Sequence, residues 1–443
     1  MKAPILPVLT LAAFFVRLWW LGQTPEPTGT DGYYYVVQIA DWSAGQGLHV
    51  PDSSWVLRFL GALGWLLDPI AAHKVGGAAL AALCVPAGWW AGERVRPGGG
   101  MVVALLAACS PSLTHLAGDF AKNLGMVAPL LLWLGGLLAP AKTWRGWVLP
   151  VLGGILAAWA HRLGAAIVVL SLGGAVLARL DRRLIMGALG AFLVFGVLSQ
   201  AVPGLLHLQD LDRLKGAFDL SLHFPQPWPL ATLRYTNPVQ LAEWSLAWAG
   251  LFVVAAMGRK AWPLLPPLAV VLLLPWDLNQ LDMGYRLVLI SPVLVWPLAG
   301  KIGTSSLWGV LLLPLATLGF APKDHPPYPD YRRQIQRIPE QPTLLIAHQG
   351  FNFLYDYETG GEAMAWAPEA ELERGGIGRI AVGFEADDFP NSRNVTALGP
   401  NVVYVNEAIW ERLLKQADPI LRARMLAPQN PSQVRPDSLR RGR

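Results

Sequence analysis

The sequence has few charged residues and almost no cysteine. Only 15% of its 443 residues are charged, against about a quarter in an ordinary soluble domain, and the mean hydropathy is +0.38. Its two cysteines, Cys84 and Cys109, lie inside apolar runs, where a small hydrophobic side chain is expected rather than a disulfide. Zinc-type clusters of His and Cys are absent, as is a Gly-x-Ser-x-Gly motif. These absences argue against a plain cytosolic enzyme and a disulfide-rich scaffold.

Long apolar runs recur almost to residue 320 and predict a polytopic α-helical membrane protein. Breaks at charged or Pro- and Gly-rich positions delimit about 11 transmembrane helices. The first run is not followed by a small-residue cleavage site, so we expect a retained anchor. The predicted spans cover residues 5–22, 71–92, 100–118, 120–140, 147–161, 163–180, 184–204, 239–258, 261–275, 285–300 and 303–320.

Charge is distributed unevenly along the chain. Residues 1–320 contain 20 Lys and Arg and 14 Asp and Glu, whereas residues 321–443 contain 15 and 16. With the N-terminus in the cytoplasm, every alternate loop obeys the positive-inside rule. The basic residues of these cytoplasmic loops are Lys2, Arg94, Arg96, Lys142, Arg145, Arg179, Arg182, Arg183, Arg259, Lys260 and Lys301. The net charge of +5 therefore reflects loop orientation, not nucleic-acid binding. We expect an integral inner-membrane protein whose first outer loop, residues 23–55, and C-terminal part are extracytoplasmic.

The charge distribution also predicts the domains. A transmembrane domain covers residues 1–320, a small extracytoplasmic (periplasmic) α/β domain covers 321–426, and a disordered basic tail covers 427–443. Strand-like runs at 343–347, 380–384 and 402–405, with helices around 331–338 and 407–416, indicate the α/β domain.

The first outer loop is rich in residues that could carry chemistry. Asp31 is expected at the membrane surface beside Gly32, whose missing side chain would let a ligand approach the backbone. A carboxylate in that position suits a general base or a metal ligand. The alternative is an N-cap of the helix that begins at Gly32. Tyr33, Tyr34 and His49 of the same loop are candidate contacts to a donor or an acceptor.

Other ionisable residues are expected at the same outer face. Asp119 ends the third span and would supply a second carboxylate for a divalent cation, Mn²⁺ or Mg²⁺, or else cap the helix at the interface. Lys122, Arg286 and the His161-Arg162 pair are cations suited to a phosphate group. Their alternatives are snorkelling to the headgroups and, for the arginines, an ion pair with Asp277 or Asp282.

The first loop resembles the first external loop of bacterial oligosaccharyltransferase catalytic subunits, which are membrane glycosyltransferases of the GT-C fold. Later features fit the same layout, namely Gly284-Tyr-Arg286 ahead of a Pro-containing span and a terminal extracytoplasmic domain. The resemblance rests on the runs Asp31-Gly-Tyr-Tyr, Ala40-Asp41 and Gly47-Leu-His49-x-Pro-Asp52.

This resemblance implies a GT-C-like enzyme that takes a sugar or glycan from a polyprenyl-phosphate or polyprenyl-diphosphate donor in the membrane lipid. Asp31 would be the catalytic and metal-binding acid, Asp119 the second-loop acid, and Arg286 the contact to the donor phosphate. We expect an inverting displacement in which Asp31 activates the acceptor and Arg286, with Lys122 or Arg162, receives the lipid phosphate.

The sequence also departs from the family. Asp119 lacks the second acid of the family's paired motif, and the run that ends at Tyr235 lacks the family's glutamate. The Trp-Trp-Asp triplet that reads asparagine sequons is replaced by Ala347-His-Gln-Gly350. The acceptor is therefore expected to be a glycan, a lipid or a non-sequon protein, with Tyr235 and His348 as candidate contacts, joined in the C-terminal domain by Tyr355 and Asp356. The alternatives are a lipid-linked glycan transporter, an assembly scaffold and a polysaccharide polymerase.

Overall fold

The described part of the chain is mostly helical and divides into two compact units. The first unit consists of residues 1–25, 53–60 and 74–323, and the second of residues 26–52, 61–73 and 324–443. The computed structural model describes residues 5–29, 31–50, 52–179, 238–273, 283–301, 328–336, 343–347, 349–360, 363–364, 379–383, 396–399 and 402–405.

The helices follow the apolar pattern of the sequence. Every predicted span that falls among the described residues is helical, and the predicted spans at 184–204 and 303–320 lie outside them. In chain order the helices are α1 (Ile5–Leu21), α2 (Gly32–Ser43), α3 (Trp55–Leu63), α4 (Pro69–Val95), α5 (Gly100–Cys109), α6 (Pro111–Asp119), α7 (Ala121–Leu138), α8 (Arg145–Ala160), α9 (Arg162–Arg179), α10 (Pro238–Ala256), a 3-10 helix (Gly258–Leu264), α11 (Leu265–Leu273), α12 (Met283–Ala299), α13 (Tyr328–Ile335) and α14 (Gln349–Thr359).

Two of the described helices, α4 and α7, are long and apolar enough to cross a membrane. The pair α5 and α6 makes a third if the bent pair is one span. Shorter apolar stretches lie in α1, α8, α9, α10 and α12. A helix of 18 residues is about 27 Å long, close to the thickness of the hydrocarbon core. The chain thus contains two to three candidate membrane spans among its described residues.

Helix α7 forms the centre of the first unit. It packs against α8, α9 and α12, and most of its side chains are buried. Its apolar residues occur on all sides, as expected for a helix with neighbours all round. The indole of Trp133 donates a hydrogen bond to Ser171 Oγ of α9 at 2.8 Å, so the one polar atom of this large side chain is satisfied.

The span at residues 100–119 is broken into two helices. α5 and α6 meet at an angle of 50° around Ser110 and Pro111. Pro111 has no N–H and therefore cannot continue α5, but proline is well suited to the first turn of α6. Ser110 caps α6, because its Oγ accepts a hydrogen bond from the Leu113 N–H at 3.1 Å. The break is therefore encoded locally by a Ser-Pro pair.

Glycines let the helices of the first unit approach closely. A Cβ at Gly77 of α4 would lie 2.3 Å from the carbonyl oxygen of Ala117 in α6. The same distance separates a Cβ at Gly174 of α9 from the carbonyl oxygen of Trp262. Small residues at such contacts allow backbone-to-backbone packing between apolar helices.

The second unit contains α2, the 61–73 segment, α13, α14 and a small sheet. The sheet has the order β2-β1-β3-β5-β4; β1 is parallel to β2 and β3, and β5 is antiparallel to β3 and β4. Leu345 pairs with Ala381, which in turn pairs with Tyr404. The strands are β1 (Thr343–Ala347), β2 (Ala363–Met364), β3 (Arg379–Gly383), β4 (Thr396–Gly399) and β5 (Val402–Val405).

The remaining predictions of the sequence stay predictions. The count of eleven crossings, the orientation of the chain and the extent of an α/β domain are not decided by the described residues. The predicted helix at 407–416 and the tail at 427–443 lie outside those residues.

Gly77→Ala should destabilise the first unit, because the added methyl group would collide with the Ala117 backbone. Overpacking of this kind costs about 1–3 kcal/mol, so the thermal unfolding midpoint in detergent should fall. Gly173→Ala is the matched control, since a Cβ at Gly173 meets nothing within 4 Å. Equal midpoints for the two variants would contradict the close contact between α4 and α6.

Candidate functional site

Asp31 stands directly before α2, the helix of the first loop (residues 23–55). It occupies the N-cap position, but its carboxylate makes no capping hydrogen bond to the helix. The residue is buried, with 5% of its surface exposed. The N-cap interpretation is therefore unsupported, and a carboxylate that the helix terminus does not use is held at the start of the loop helix.

The expectation that Gly32 admits a ligand is wrong. A Cβ at Gly32 would lie 2.8 Å from the Cβ of Pro27, so the protein itself fills the space beside this backbone. Glycine is needed here because the preceding turn packs tightly onto the start of α2.

Tyr33 is fully buried in a network of charged residues. Its phenol donates a hydrogen bond to the Glu26 carboxylate. Arg332 of α13 donates to Glu26 Oε1 at 2.6 Å, to the Tyr33 oxygen at 3.2 Å and to Glu358 of α14 at 2.9 Å. The network joins the first loop to two helices of the C-terminal part.

The Tyr33 phenol and the Arg332 guanidinium both keep the protons that they donate in these hydrogen bonds. Burial and then the Glu26 carboxylate raise the pKa of Tyr33, so the phenol stays a donor. The hydrogen bond to Glu26 raises the pKa of the Arg332 guanidinium, which stays charged. The stability that Arg332 contributes is present below its ordinary pKa and would be lost only as the pH rises through the raised value. The network is therefore intact across the neutral range.

Aromatic side chains extend this contact. The Tyr33 ring packs edge-on against Tyr328, with centroids 4.8 Å apart, and the Tyr34 ring packs against Phe353 at 5.2 Å. Tyr328 also donates from its hydroxyl to the Gly29 carbonyl at 2.5 Å. Tyr33 and Tyr34, predicted as donor or acceptor contacts, are thus placed as packing residues.

His49 lies between two carboxylates. Its Nδ1 is 2.9 Å from Asp41 Oδ2, and its Nε2 is 2.5 Å from Asp356 Oδ2 in α14. Asp41 belongs to α2, so the imidazole bridges the loop helix to α14. Tyr355, also named as a candidate contact, is buried in α14. The two candidate residues His49 and Asp356 are therefore in contact with each other.

In the first unit, several predicted residues lie near the junction of α6 and α7. Asp119 is the last residue of α6, and its Oδ2 is 3.6 Å from Nε2 of His115. The guanidinium of Arg286, in the first turn of α12, lies over the Phe120 ring at 4.2 Å from its centroid. Lys122 follows Phe120 by two residues. The structure thus brings Asp119, Lys122 and Arg286 to one end of these helices.

Asn123 adds a polar group that sequence reasoning had not used. It is 1% exposed, and its Nδ2 has no hydrogen-bond partner within the described ranges. A buried amide donor without an acceptor is costly, so this position is one where an oxygen of a ligand would be stabilised.

His161 and Arg162 form the turn between α8 and α9. The Nδ1 of His161 accepts a hydrogen bond from the Leu163 N–H at 3.1 Å, which caps α9. The end of the first loop is fastened beside this turn, because Ser54 Oγ donates to the Ala160 carbonyl at 2.7 Å. His161 therefore has a structural role in the turn, and Arg162 begins α9 partly exposed.

The predicted metal site, with Asp31 and Asp119 as ligands, stays a prediction. In the parts of the chain that the structure describes, no group of three or more His, Cys, Asp and Glu side chains is arranged to hold a metal ion. A single acid with a histidine is a poor ligand set for Mn²⁺ or Mg²⁺. The predicted residues Tyr235, Asp277, Asp282 and His348 lie outside the described residues.

The sequence was compared with known proteins. No protein-family model matches the chain, and no curated protein matches it significantly.

Glu26, Arg332 and Glu358 were not found by sequence reasoning. Each is an ordinary charged residue of a polar segment, and only the fold brings them together. Their function is to hold the first loop against α13 and α14.

Arg332→Met should loosen the first loop. The lost hydrogen bonds are worth about 1–2 kcal/mol, allowing for their partial exposure, so amide hydrogen exchange in α2 should accelerate roughly 5- to 30-fold by local opening. Arg333→Met is the matched control, because the Arg333 side chain is exposed. Unchanged exchange in α2 for Arg332→Met would contradict the anchoring role.

Proposed function

We propose that the protein is a membrane glycosyltransferase that transfers a sugar or glycan from a polyprenyl-linked donor to an acceptor other than an asparagine sequon. The observation that carries the proposal is the buried Asp31 carboxylate, which stands before α2 and does not cap it. A carboxylate so placed suits proton abstraction from an acceptor.

The anchoring of the first loop supports this role. A general base must be held within hydrogen-bond reach of the proton that it removes, and a mobile loop would not hold it there. The Tyr33 network and the His49 bridge fasten α2 at two places on α13 and α14. Asp31 therefore lies at the start of a helix that these contacts hold in place.

The proposed reaction also requires cations, for which the sequence predicts Arg286 and Lys122. A polyprenyl phosphate leaves with negative charge, and positive side chains stabilise the charge that develops. Arg286 and Lys122 lie near the α6–α7 junction, and the buried Nδ2 of Asn123 is a further donor there. This set of donors suits a phosphate better than it suits a divalent cation.

The proposed reaction is a single inverting displacement. The acceptor's nucleophilic atom attacks C1 of the sugar while Asp31 takes the acceptor's proton. The bond between C1 and the donor oxygen breaks, and the lipid phosphate keeps the electron pair. Arg286 and Lys122 would neutralise the phosphate in the place of a metal ion.

Asp31→Asn should abolish transfer while keeping the shape of the side chain. In a deletion strain complemented with this variant, mass spectrometry should find one polyprenyl-linked sugar accumulating as in the deletion itself. Asp68→Asn is the matched control, because Asp68 is exposed and only caps α4, which asparagine also does. A wild-type lipid profile with normally expressed Asp31→Asn would overturn the assignment.

The alternatives give different results in the same strains. A transporter would leave the lipid-linked sugar on the inner leaflet in the deletion, and Asp31→Asn would not reproduce a transfer defect. A polysaccharide polymerase would not be expected to need the C-terminal part. Deletion of residues 324–443 is nevertheless a poor test, because it would also remove the packing partners of Tyr33 and Tyr34.

Transfer by membranes that contain the protein should survive EDTA. Arg286 and Lys122, near the α6–α7 junction, would neutralise the leaving phosphate in the place of a metal ion. The measurement is the rate of sugar transfer from a polyprenyl-linked donor before and after chelation. Complete loss of activity that Mn²⁺ or Mg²⁺ restores would show that a metal is required.

A further inference from the structure

Two charged residues that the sequence analysis did not single out are buried in the first unit. Arg17 of α1 is 2% exposed and Glu243 of α10 is 4% exposed. Both lie in apolar helices, where a charge is costly and normally has a partner or a function. Their hydrogen bonds converge on the break between α5 and α6.

Arg17 binds the end of α5. Its Nη2 donates to the carbonyl oxygens of Ala107 at 2.8 Å and Ser110 at 3.4 Å. The helical donor to the Ala107 carbonyl would be the N–H four residues on, but that residue is Pro111, which has none. The guanidinium therefore supplies a hydrogen bond that the proline removes. Its Nη1 donates to Ala13 of its own helix at 3.2 Å.

Glu243 binds the start of α6. Its Oε2 accepts a hydrogen bond from the Ser112 N–H at 3.1 Å and a second one from the Ser112 hydroxyl. The first N–H groups of a helix have no partner within that helix. The carboxylate thus supplies an acceptor for a donor that the break leaves open.

The signs of the two charges match the two helix ends. The C-terminal end of a helix carries partial negative charge and the N-terminal end partial positive charge. Arg17 meets the former at α5 and Glu243 meets the latter at α6. Each charge therefore lies against a helix end of the opposite sign, which lowers the cost of burying it.

We propose that Arg17 and Glu243 act as one charge clamp that fixes the bend between α5 and α6. The clamp sets the direction of α6 and therefore the position of His115 and Asp119 at its far end. Arg17 and Glu243 are positioning residues in this sense. The inference does not depend on the proposed glycosyltransferase activity.

The native Cys109 reports directly on the break. It is the last residue of α5 and is partly exposed, whereas Cys84 is fully buried. In a Cys84→Ala background, the rate at which a small maleimide labels Cys109 in detergent measures the opening of the break. The variants are Glu243→Gln, Arg17→Met, Arg17→Lys and the double variant Arg17→Met with Glu243→Gln.

We expect Glu243→Gln and Arg17→Met each to raise the labelling rate at least tenfold, because each removes one of the two charges that hold the helix ends at the break. The double variant should not exceed the larger single effect. Arg17→Lys should stay within a few-fold of the background, since lysine keeps the charge and a donor while methionine keeps only the apolar stem. Glu93→Gln is the matched control, because Glu93 also accepts from a helix N-terminal N–H, that of Gly100 in α5, but is partly exposed.

The clamp would be overturned by labelling rates within twofold of the background for both single variants. It would also be overturned if the two effects multiply in the double variant, since independent sites behave in that way. Equal behaviour of Arg17→Met and Arg17→Lys would assign Arg17 to packing alone. Glu243→Gln keeps the shape of the side chain and an acceptor oxygen, so its labelling rate tests the clamp even if Arg17→Met does not fold.

Discussion

A backbone carbonyl that lacks its helical donor must find another one in an apolar interior. Ala107 has such a carbonyl, because Pro111 cannot donate to it, and Arg17 provides the missing hydrogen bond. On the other side of the break, the buried carboxylate of Glu243 accepts a hydrogen bond from Ser112. Two buried charges, from α1 and α10, thus meet the break at this proline, and the helix that follows it carries His115 and Asp119.

The second unit is held together by a different kind of contact. Charged and aromatic residues of the first loop pack against α13 and α14, through Arg332 on one side and His49 on the other. Because these contacts include charged hydrogen bonds as well as aromatic packing, they fix the orientation of the loop and do not only bury it. Burial of Tyr33 and Tyr34 serves this contact. Asp31 is buried at the start of α2 without capping that helix, and for this reason it carries the functional proposal.

The candidate residues therefore divide into two groups. Tyr33, Tyr34, His49 and His161 hold the fold, although their chemistry would also suit a binding site. Asp31, Arg286 and Lys122 lie at or just before helix starts, and their roles stay predictions. A tyrosine or histidine in an outer loop is an ambiguous signal, since both residues have an apolar body and a polar atom and can serve in packing or in binding.

The sequence alone determined where the apolar helices lie, because each follows from a local run of residues that excludes charge and ends at Pro, Gly or charged positions. The strands at 343–347 and 402–405 were likewise readable from β-branched runs. Only the tertiary structure decided which charges meet. Arg332 and Glu26 are 306 residues apart, and Glu243 and Ser112 are 131 apart. No local pattern encodes such pairs, because their energy arises only when packing brings the two side chains together out of water.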